Sequence, residues 1–578
     1  MTRSNGDVVR MLDEMTLLMK LKEGNPQAFR VRAYENAAAS IRDLGRPVAG
    51  MTEAEMVALK GIGKSTAAKI REYLETGAFA KLAELRETYP PAFVEMTRIP
   101  GLGPKTLIRL RDELDINTVD DLRSAIDREA LRALPGLGAK SEEKLKLAIE
   151  RLGLHGKDRR TPIAVALPIA AEVVAALEKL PGVTAAQYCG SLRRFSETIG
   201  DIDVIVAARN HRSVGDAFVA LPLANEVIAH GETKSSILTR DGLQIDLRVV
   251  DPGVYGAAVL YFTGSKSHNI ALRQRALDRG WTLNEYSLSD IETEKVIAAR
   301  TEKSIYSALG LAFVPPPMRE DTGEVQAAAG KLPRLVTERH IRGDLHVHSD
   351  LSGDGRAPLA AMVKGAAARG LEYLAITDHG EDLSINGATK SQMLGMRRKL
   401  EKLQERYPDM TLLWGCELNI GADGGLDYDD EFLASFDWTV ASVHSHFDLD
   451  IAAQTTRLIA AMEHPSVNAI GHISGRMIGR RPGIFFDQDK VLATAAATGT
   501  GIEINGALER LDASSAMIRN GAELGIDFVI NTDAHHPDDY RRVASGVLHA
   551  QRAWLEHRRV ANSWPRHRFL NWVQRRRG

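Results

Sequence analysis

The sequence predicts a multidomain chain: an all-helical N-terminal region, a mixed α/β middle and a C-terminal α/β domain with the rhythm of a barrel. Three observations predict it. A glycine-centred pattern recurs three times in the first 160 residues, paired aspartates sit in strand-forming runs of the middle region, and histidines and carboxylates close one apolar run after another beyond residue 340. A length of 578 residues fits roughly three to five domains of about 100–200 residues each.

With 44% hydrophobic and 26% charged residues, the composition excludes collagen-like, largely disordered and disulfide-framework chains. Apolar stretches such as 163–171 and 491–497 fall short of the ~20 residues of a membrane-spanning helix, so no membrane partner is expected. The opening MTRSNGDVVRMLDEM has no apolar core of a secretory signal. Two cysteines, Cys189 and Cys416, build no disulfide framework, and a cytoplasmic location is expected. The net charge of −2 hides a segregation: residues 341–551 hold 19 Lys and Arg against 30 Asp and Glu, and 12 of the 17 histidines lie from His346 onward. Carboxylate and imidazole enriched together are the ligand chemistry of divalent metals.

The first 160 residues carry apolar side chains at three- and four-residue spacing, as in Val9, Leu12, Met15, Leu18 and Met19, which predicts helix. The repeats are LKGIGKSTAAKI (59–70), IPGLGPKTLIRL (99–110) and LPGLGAKSEEKL (134–145). Each places glycines at a sharp turn that opens a helix, where exposed N–H groups can meet a phosphate. Lys60, Lys64, Lys105 and Lys140 beside the turns point to DNA backbone binding without sequence preference. The three repeats resemble helix-hairpin-helix motifs.

In the middle region, CGSLRRFSETIGDIDVIVAA (189–208) puts Asp201 and Asp203 two apart on a predicted strand, so both carboxylates share one face. Asp246, in LQIDLRVV, can join them from a neighbouring strand. Three convergent carboxylates suit two Mg²⁺ or Mn²⁺ ions that clamp a phosphoryl transfer. Gly190, Ser191, Arg193 and Arg194 offer donors and charge to a triphosphate. With YFTGSKSHN (261–269), Arg273 and LNEYSL (283–288) following in order, residues 1–318 resemble the X-family DNA polymerases typified by DNA polymerase beta.

That resemblance implies catalytic metals on Asp201, Asp203 and Asp246, and an incoming deoxynucleoside triphosphate held by Gly190, Ser191, Arg194 and Gly200. It implies Tyr261, Phe262 and Gly264 along the sugar, Asn269 at the base and Arg273 at the template strand. Gln244 stands where polymerase beta has an arginine, and Lys266 replaces an acid beside the nucleotide. Lys69 occupies the register of the family's Schiff-base lysine, with Lys60, Lys64 and Arg30 as neighbours that can lower its pKa.

PPP at 315–317 closes the middle region, and the polar, alanine-rich stretch that follows reads as a linker. Beyond it lie DLHVHSDLSGDGR, TDHGED, GCELNI, ASVHSHF, GHISGR and NTDAHH, spaced like successive strand ends. These strings resemble the polymerase and histidinol phosphatase (PHP) domain. The resemblance implies a cluster of up to three Zn²⁺, Mn²⁺ or Fe²⁺ ions on His346, His348, Asp354, His379, Glu417, His444, His472, Asp533 and His535. His446, Arg476, Arg480 and Arg481 offer grips for a substrate phosphate, and the basic tail NWVQRRRG adds weak attraction for DNA.

The expected architecture is an all-α helix-hairpin-helix region (1–85, lyase-like, and 86–160, fingers-type), an α+β nucleotidyltransferase palm (161–252), a thumb (253–318), a linker (319–337) and a distorted (β/α)7 barrel of PHP type (338–578). The combination resembles bacterial X-family polymerases fused to a PHP domain. It implies a monomeric gap-filling DNA polymerase acting on gapped or primed duplex in base excision repair, with a 3′–5′ exonuclease in the barrel that also cuts at abasic sites or removes 3′ phosphates. Two other readings are compatible with the residues: a PHP phosphoesterase for a small metabolite with a regulatory polymerase-like region, and a DNA-end binder without catalysis.

Overall fold

The computed structural model describes residues 5–575, apart from 25–27, 43, 45–47, 78, 91–92, 95, 100–101, 135, 151–159 and 384. The described residues form two compact units, residues 1–159 and 160–578.

The first unit is all helical. Its core is built from the periodic apolar side chains, Val8, Leu12, Met15, Leu18 and Met19 among them. The glycine hairpins fold as turns into helices Lys64–Thr76, Pro104–Leu114 and Ala139–Glu150. Gly61 at φ +91° and Gly136 at φ +86° supply the left-handed turns of the first and third repeats. Lys60, Lys64, Lys105 and Lys140 are exposed around them. Pro100, Gly101 and Pro135 lie outside the described residues.

The second unit opens with a five-stranded sheet in the order Val183–Tyr188, Asp201–Ala208, Gln244–Val250, Lys234–Leu238, Glu226–His230. Only the two aspartate-bearing strands run parallel; the other pairs are antiparallel. The thumb packs Leu260, Leu272, Ile305, Tyr306 and Leu309 into a separate core.

Residues 319–337, expected as a linker, are folded: Val325, Ala328, Leu332 and Leu335 join that core, and Val336 joins the core of the C-terminal domain. Helix Glu324–Ala329 inserts Val325 and Ala328 into the thumb core. Glu324, fully buried, binds His268 Nδ1 at 2.6 Å, and His268 Nε2 meets Tyr306 Oη at 2.7 Å. A stretch of alanine and polar residues looks like a spacer in composition, but a buried Glu–His–Tyr chain fixes it.

The C-terminal sheet has seven strands, all parallel and in sequence order: Gly343–Asp344, Tyr373–Ile376, Thr411–Asn419, Trp438–Ser442, Ala469–Ile470, Gly501–Asn505 and Phe528–Asn531. A parallel bridge between Val347 and Ala534 links the first strand's end to the last and closes the barrel. Along each strand the side chains alternate: Leu374 and Ile376 face the helical layer, while Tyr373 and Ala375 fill the interior. Helix Arg566–Arg575 buries Phe569 and Val573 in the barrel interior, with Phe569 stacked on Tyr373 at 4.5 Å between ring centroids; residues 576–578 lie outside the described residues.

Palm and barrel pack directly. Arg476 reaches Glu197 of the palm through NH2 at 2.8 Å and NH1 at 3.2 Å. Leu511 from the barrel side enters the palm core.

Replacing Phe569 by alanine removes a fully buried ring from the barrel floor and is expected to cost about 3–5 kcal/mol. In a urea titration this appears as an earlier barrel transition, read by tryptophan fluorescence, with the transition of the tryptophan-free helical unit, read by far-UV circular dichroism, unmoved.

Candidate active sites

The parallel pairing of the palm sets Asp203 opposite Asp246 and Asp201 opposite Gln244. Period-two alternation then turns all three carboxylates to one face of the sheet. Gly190, at φ +61°, lies against them: a Cβ there would stand 2.6 Å from Asp203 Oδ2, so only glycine lets this turn approach the carboxylate. Burial, together with the charges of Asp201 and Asp246, pushes the Asp203 carboxyl up to about 7. Burial and Asp246 also raise Asp201. Gln244 Nε2 donates to Asp246 Oδ1 at 2.8 Å, and Lys234 Nζ lies 3.2 Å from Oδ2. A neutral donor thus holds the third carboxylate where the resemblance leads one to expect arginine. Mutually repelling carboxylates on one face are a fitting donor set for hard divalent cations.

Ser191 belongs to the short helix Gly190–Arg193, and Gly200 immediately precedes the aspartate strand. Arg193 is not available to a triphosphate. It is forked onto Glu302 at 2.9 and 2.7 Å, and Glu302 also takes the buried Arg319 at 2.6 Å. Arg194 donates from Nε to Glu320 at 3.0 Å and from NH1 to the Thr263 carbonyl at 2.8 Å. Tyr261 and Phe262 end helix Tyr255–Thr263, and Gly264 follows at φ +68°. The Asn269 amide donates to the Tyr261 carbonyl at 2.7 Å, and the Arg273 guanidinium lies 5.2 Å from the centre of the Tyr261 ring. Lys266 is exposed at the start of the next helix, Lys266–Leu277. In the helical unit, Lys69 donates to Ser65 Oγ at 3.0 Å and sits 5.4 Å from the centre of the Tyr34 ring.

The barrel gathers its polar groups at the C-terminal ends of its strands. His346 and His348 follow the first strand, His379 the second, His444 the fourth, His472 the fifth, and Asp533 and His535 the seventh, while Glu417 lies within the third. Asp354 comes from the first loop. All nine residues fall into four overlapping groups whose ligand atoms lie within 4.8 Å of one another: His348, Asp354, His379 and His535; His346, Glu417 and His472; His346, His348 and Asp533; His379, Glu417 and His444.

Glu417 is the hub. Its Oε2 faces His346 at 3.2 Å, His348 at 3.4 Å and His379 at 3.0 Å, and its Oε1 faces His444 at 3.2 Å and His472 at 2.9 Å. Against the burial that opposes its charge, His346, His444 and His379 hold it well below the usual carboxylate range. Burial, with His535 and His379 alongside, drives His348 down to about 3, so its imidazole is neutral and able to ligate. Among the described residues, His346 Nε2, His348 Nε2, His379 Nδ1 and Glu417 Oε1 are buried and find no hydrogen-bond partner. Convergent donor atoms left unsatisfied in a dry site are what a bound cation would satisfy, and the residues present fit a divalent metal cluster. His472 at φ +21° and Asp533 at φ +52° hold strained backbone at this site, at about 1–3 kcal/mol each.

Five residues support the cluster without carrying a ligand signature in the sequence: Glu503, Asn419, Asp378, Ser352 and Arg510. Glu503 takes His346 Nδ1 at 2.7 Å and the His472 backbone N–H at 2.7 Å. Asn419 meets His444 Nδ1 at 2.7 Å. Asp378 holds Ser349 and Ser352, and Ser352 meets His348 Nδ1 at 3.2 Å. Arg510 Nε lies 3.7 Å from Asp533 Oδ2, and its NH1 is buried without a hydrogen-bond partner. Glu503 was the most accessible to sequence, since GIEING ends a strand as the other motifs do. Arg476 and Arg481, expected at a substrate phosphate, are committed elsewhere: Arg476 to Glu197, and Arg481 to the Gly475 carbonyl and the Phe447 ring. Arg480 remains exposed beside a groove of about 500 Å³.

Family models match in the order of this architecture: a helix-hairpin-helix domain over residues 3–79, a tandem of such motifs over 93–151, the DNA polymerase beta thumb over 258–320 and the PHP domain over 344–506. The DNA polymerase/3′-5′ exonuclease PolX of Bacillus subtilis is 35% identical over 561 residues, 96% of this chain and 97% of that protein. The chain belongs to the bacterial PolX family. It is thus an X-family DNA polymerase with a C-terminal PHP domain. Within the wider polymerase family, DNA polymerase lambda of Rattus norvegicus is 24% identical over 54% of this chain and 56% of its own. A probable phosphatase of Acetivibrio thermocellus is 33% identical over 28% of this chain and 64% of its own.

Glu503→Gln keeps the volume and removes the charge that orients His346. Mn²⁺ affinity of the barrel is expected to fall roughly 10–100-fold, measured by competition with a chromogenic chelator; an unchanged affinity would deny Glu503 that orienting role.

Proposed function

We propose that the chain fills short gaps in DNA during repair and trims 3′ ends with its barrel, using separate metal sites for the two reactions. The observation that supports this reading is the convergence of two donor sets: Asp201, Asp203 and Asp246 on one sheet face, and nine imidazoles and carboxylates, Glu417 among them, at the barrel's strand ends. Asp201, Asp203 and Asp246 would hold two Mg²⁺ or Mn²⁺ ions. The nine barrel residues would hold up to three ions, with Zn²⁺, Mn²⁺ or Fe²⁺ favoured by the imidazole-rich set. When bound, these cations supply positive charge that polarises phosphate and lowers the pKa of attacking water.

The remaining roles fall to the chain itself. In the palm, the Gly190 and Ser191 donors and Arg194 hold the triphosphate of a deoxynucleotide, with Gly200 leaving room at the strand start. Tyr261, Phe262 and Gly264 line the sugar, Asn269 meets the base and Arg273 the template strand. The primer 3′ oxygen attacks the α-phosphate, and pyrophosphate leaves. In the barrel, a water attacks the terminal phosphodiester and a nucleotide leaves. Arg510, rather than Arg476, meets the phosphate there, because its NH1 is the buried guanidinium nitrogen left unpaired beside Asp533. The exposed hairpin lysines attract the duplex backbone, and the enzyme acts as a monomer on gapped or primed DNA. The phosphatase relatives favour 3′-phosphate removal as a further barrel reaction, with cutting at abasic sites beside it.

The test is a labelled primer on a one-nucleotide-gapped duplex with Mn²⁺, with and without dNTPs. Asp201→Ala with Asp203→Ala is expected to lower extension by on the order of 10³-fold and leave shortening intact. His346→Ala with His348→Ala reverses the pattern. Binding without either reaction in the wild type would favour a DNA-end binder, and shortening without extension would leave only the hydrolase.

Lys69, beside Ser65 and Tyr34, is proposed as the Schiff-base amine for a 5′-deoxyribose phosphate. Borohydride is expected to trap the wild type on an incised abasic duplex and to fail with Lys69→Ala. Undiminished trapping of the variant would remove Lys69 from that role.

A further inference from the structure

Arg194 is not alone at the nucleotide end of the palm. The Glu320 oxygen that accepts its Nε at 3.0 Å also accepts Arg552 NH1 at 2.7 Å, and the same Arg552 nitrogen donates to the Arg194 carbonyl at 2.9 Å. Arg552 ends helix Val543–Arg552 of the barrel domain, so the hydrolase half of the chain touches the polymerase half at a nucleotide-binding residue. The three side chains are 15%, 26% and 20% exposed, dry enough for pairing to matter. The neighbouring carboxylate Glu302 is already shared by Arg193 and Arg319 and offers no substitute partner. Another barrel arginine, Arg519, donates to the Thr322 carbonyl at 3.4 Å and steadies the same segment.

One carboxylate between two guanidiniums has a definite consequence. For Arg194 to turn toward a triphosphate it must release Glu320. With Arg552 present, the carboxylate stays paired after Arg194 leaves. Without Arg552, the same movement strands a largely buried charge, which is unfavourable.

We propose that Arg552 is a positioning residue for nucleotide binding: by holding Glu320, it leaves Arg194 free to engage the triphosphate. The proposal rests on the reading of Arg194 as a triphosphate contact. The barrel domain thereby sets the nucleotide affinity of the palm, independently of its own chemistry.

The experiment uses the full-length enzyme, a one-nucleotide-gapped duplex and the complementary dNTP. Arg552→Ala is expected to raise KM for the dNTP about tenfold, with kcat changed less than about twofold and 3′–5′ shortening unaffected. Arg552→Lys retains a cation at Glu320 and is expected to recover most of the loss. The decisive variants remove the competitor: Glu320→Gln alone leaves KM at or below the wild-type value, and Glu320→Gln in the Arg552→Ala background brings it back down. A merely structural bridge gives the opposite result, with Glu320→Gln raising KM and the double variant worse than either single one. That result overturns the proposal, and because Glu320→Gln removes a charge without altering volume, it serves even if Arg552→Ala folds poorly. Arg194→Ala separates the two levels. If it raises KM while Arg552→Ala does not, only the role of Arg552 falls; if it leaves KM unchanged, the reading of Arg194 falls and the proposal with it.

Discussion

A single buried carboxylate, Glu417, faces five imidazoles, and the barrel is arranged around making that combination tolerable. A charge so far from water needs compensation at short range. The strands deliver it from four different ends, the first carrying both His346 and His348, and left-handed backbone at His472, as at Asp533 after the seventh strand, aims the side chains. Outside that ring stand Glu503, Asn419 and Ser352, each fixing the far nitrogen of one imidazole. Orientation is set by hydrogen bonds and charge by proximity, so the geometry of the cluster is built before any cation enters.

The palm handles the same problem differently. Its three carboxylates are brought together by strand register, Asp203 beside Asp246, and their repulsion is relieved only in part by Gln244 and Lys234. All-oxygen donors suit hard, exchangeable ions, whereas the imidazole-rich barrel suits borderline metals held more tightly. The two centres therefore differ in the chemistry of their ligands as well as in position. Ionic contacts join them, Arg476 on Glu197 and Arg552 with Arg194 on Glu320, beside the apolar entry of Leu511 into the palm core.

Much of this was legible in the residues. The convergence of the histidine and carboxylate motifs could be read because each closes an apolar run, and a parallel barrel gathers strand ends at one face. The aspartate strands could be read because alternation fixes the face of each side chain. The fate of the arginines could not: Arg193, Arg194 and Arg476 find carboxylates 109, 126 and 279 residues away, and nothing local distinguishes a cation awaiting phosphate from one already paired. The stretch 319–337 failed for a related reason. Its alanines and acids look like a spacer until Glu324 is seen buried against His268. Glu503 carries no ligand signature because it supports a ligand candidate, His346, from behind.

The closure of the barrel also dictates an order of assembly. Leu345 N–H donates to the Asn531 side chain across 186 residues of sequence, and the Val347–Ala534 bridge spans a similar length. On a ribosome adding about 5–20 residues per second, the first two histidines wait roughly 10–40 s for Asp533 and His535 to be made. The helical unit and the palm precede them and have their local contacts available throughout that interval. The hydrolytic centre can therefore be completed only after the sequence of the helical unit and the palm sheet has been synthesised.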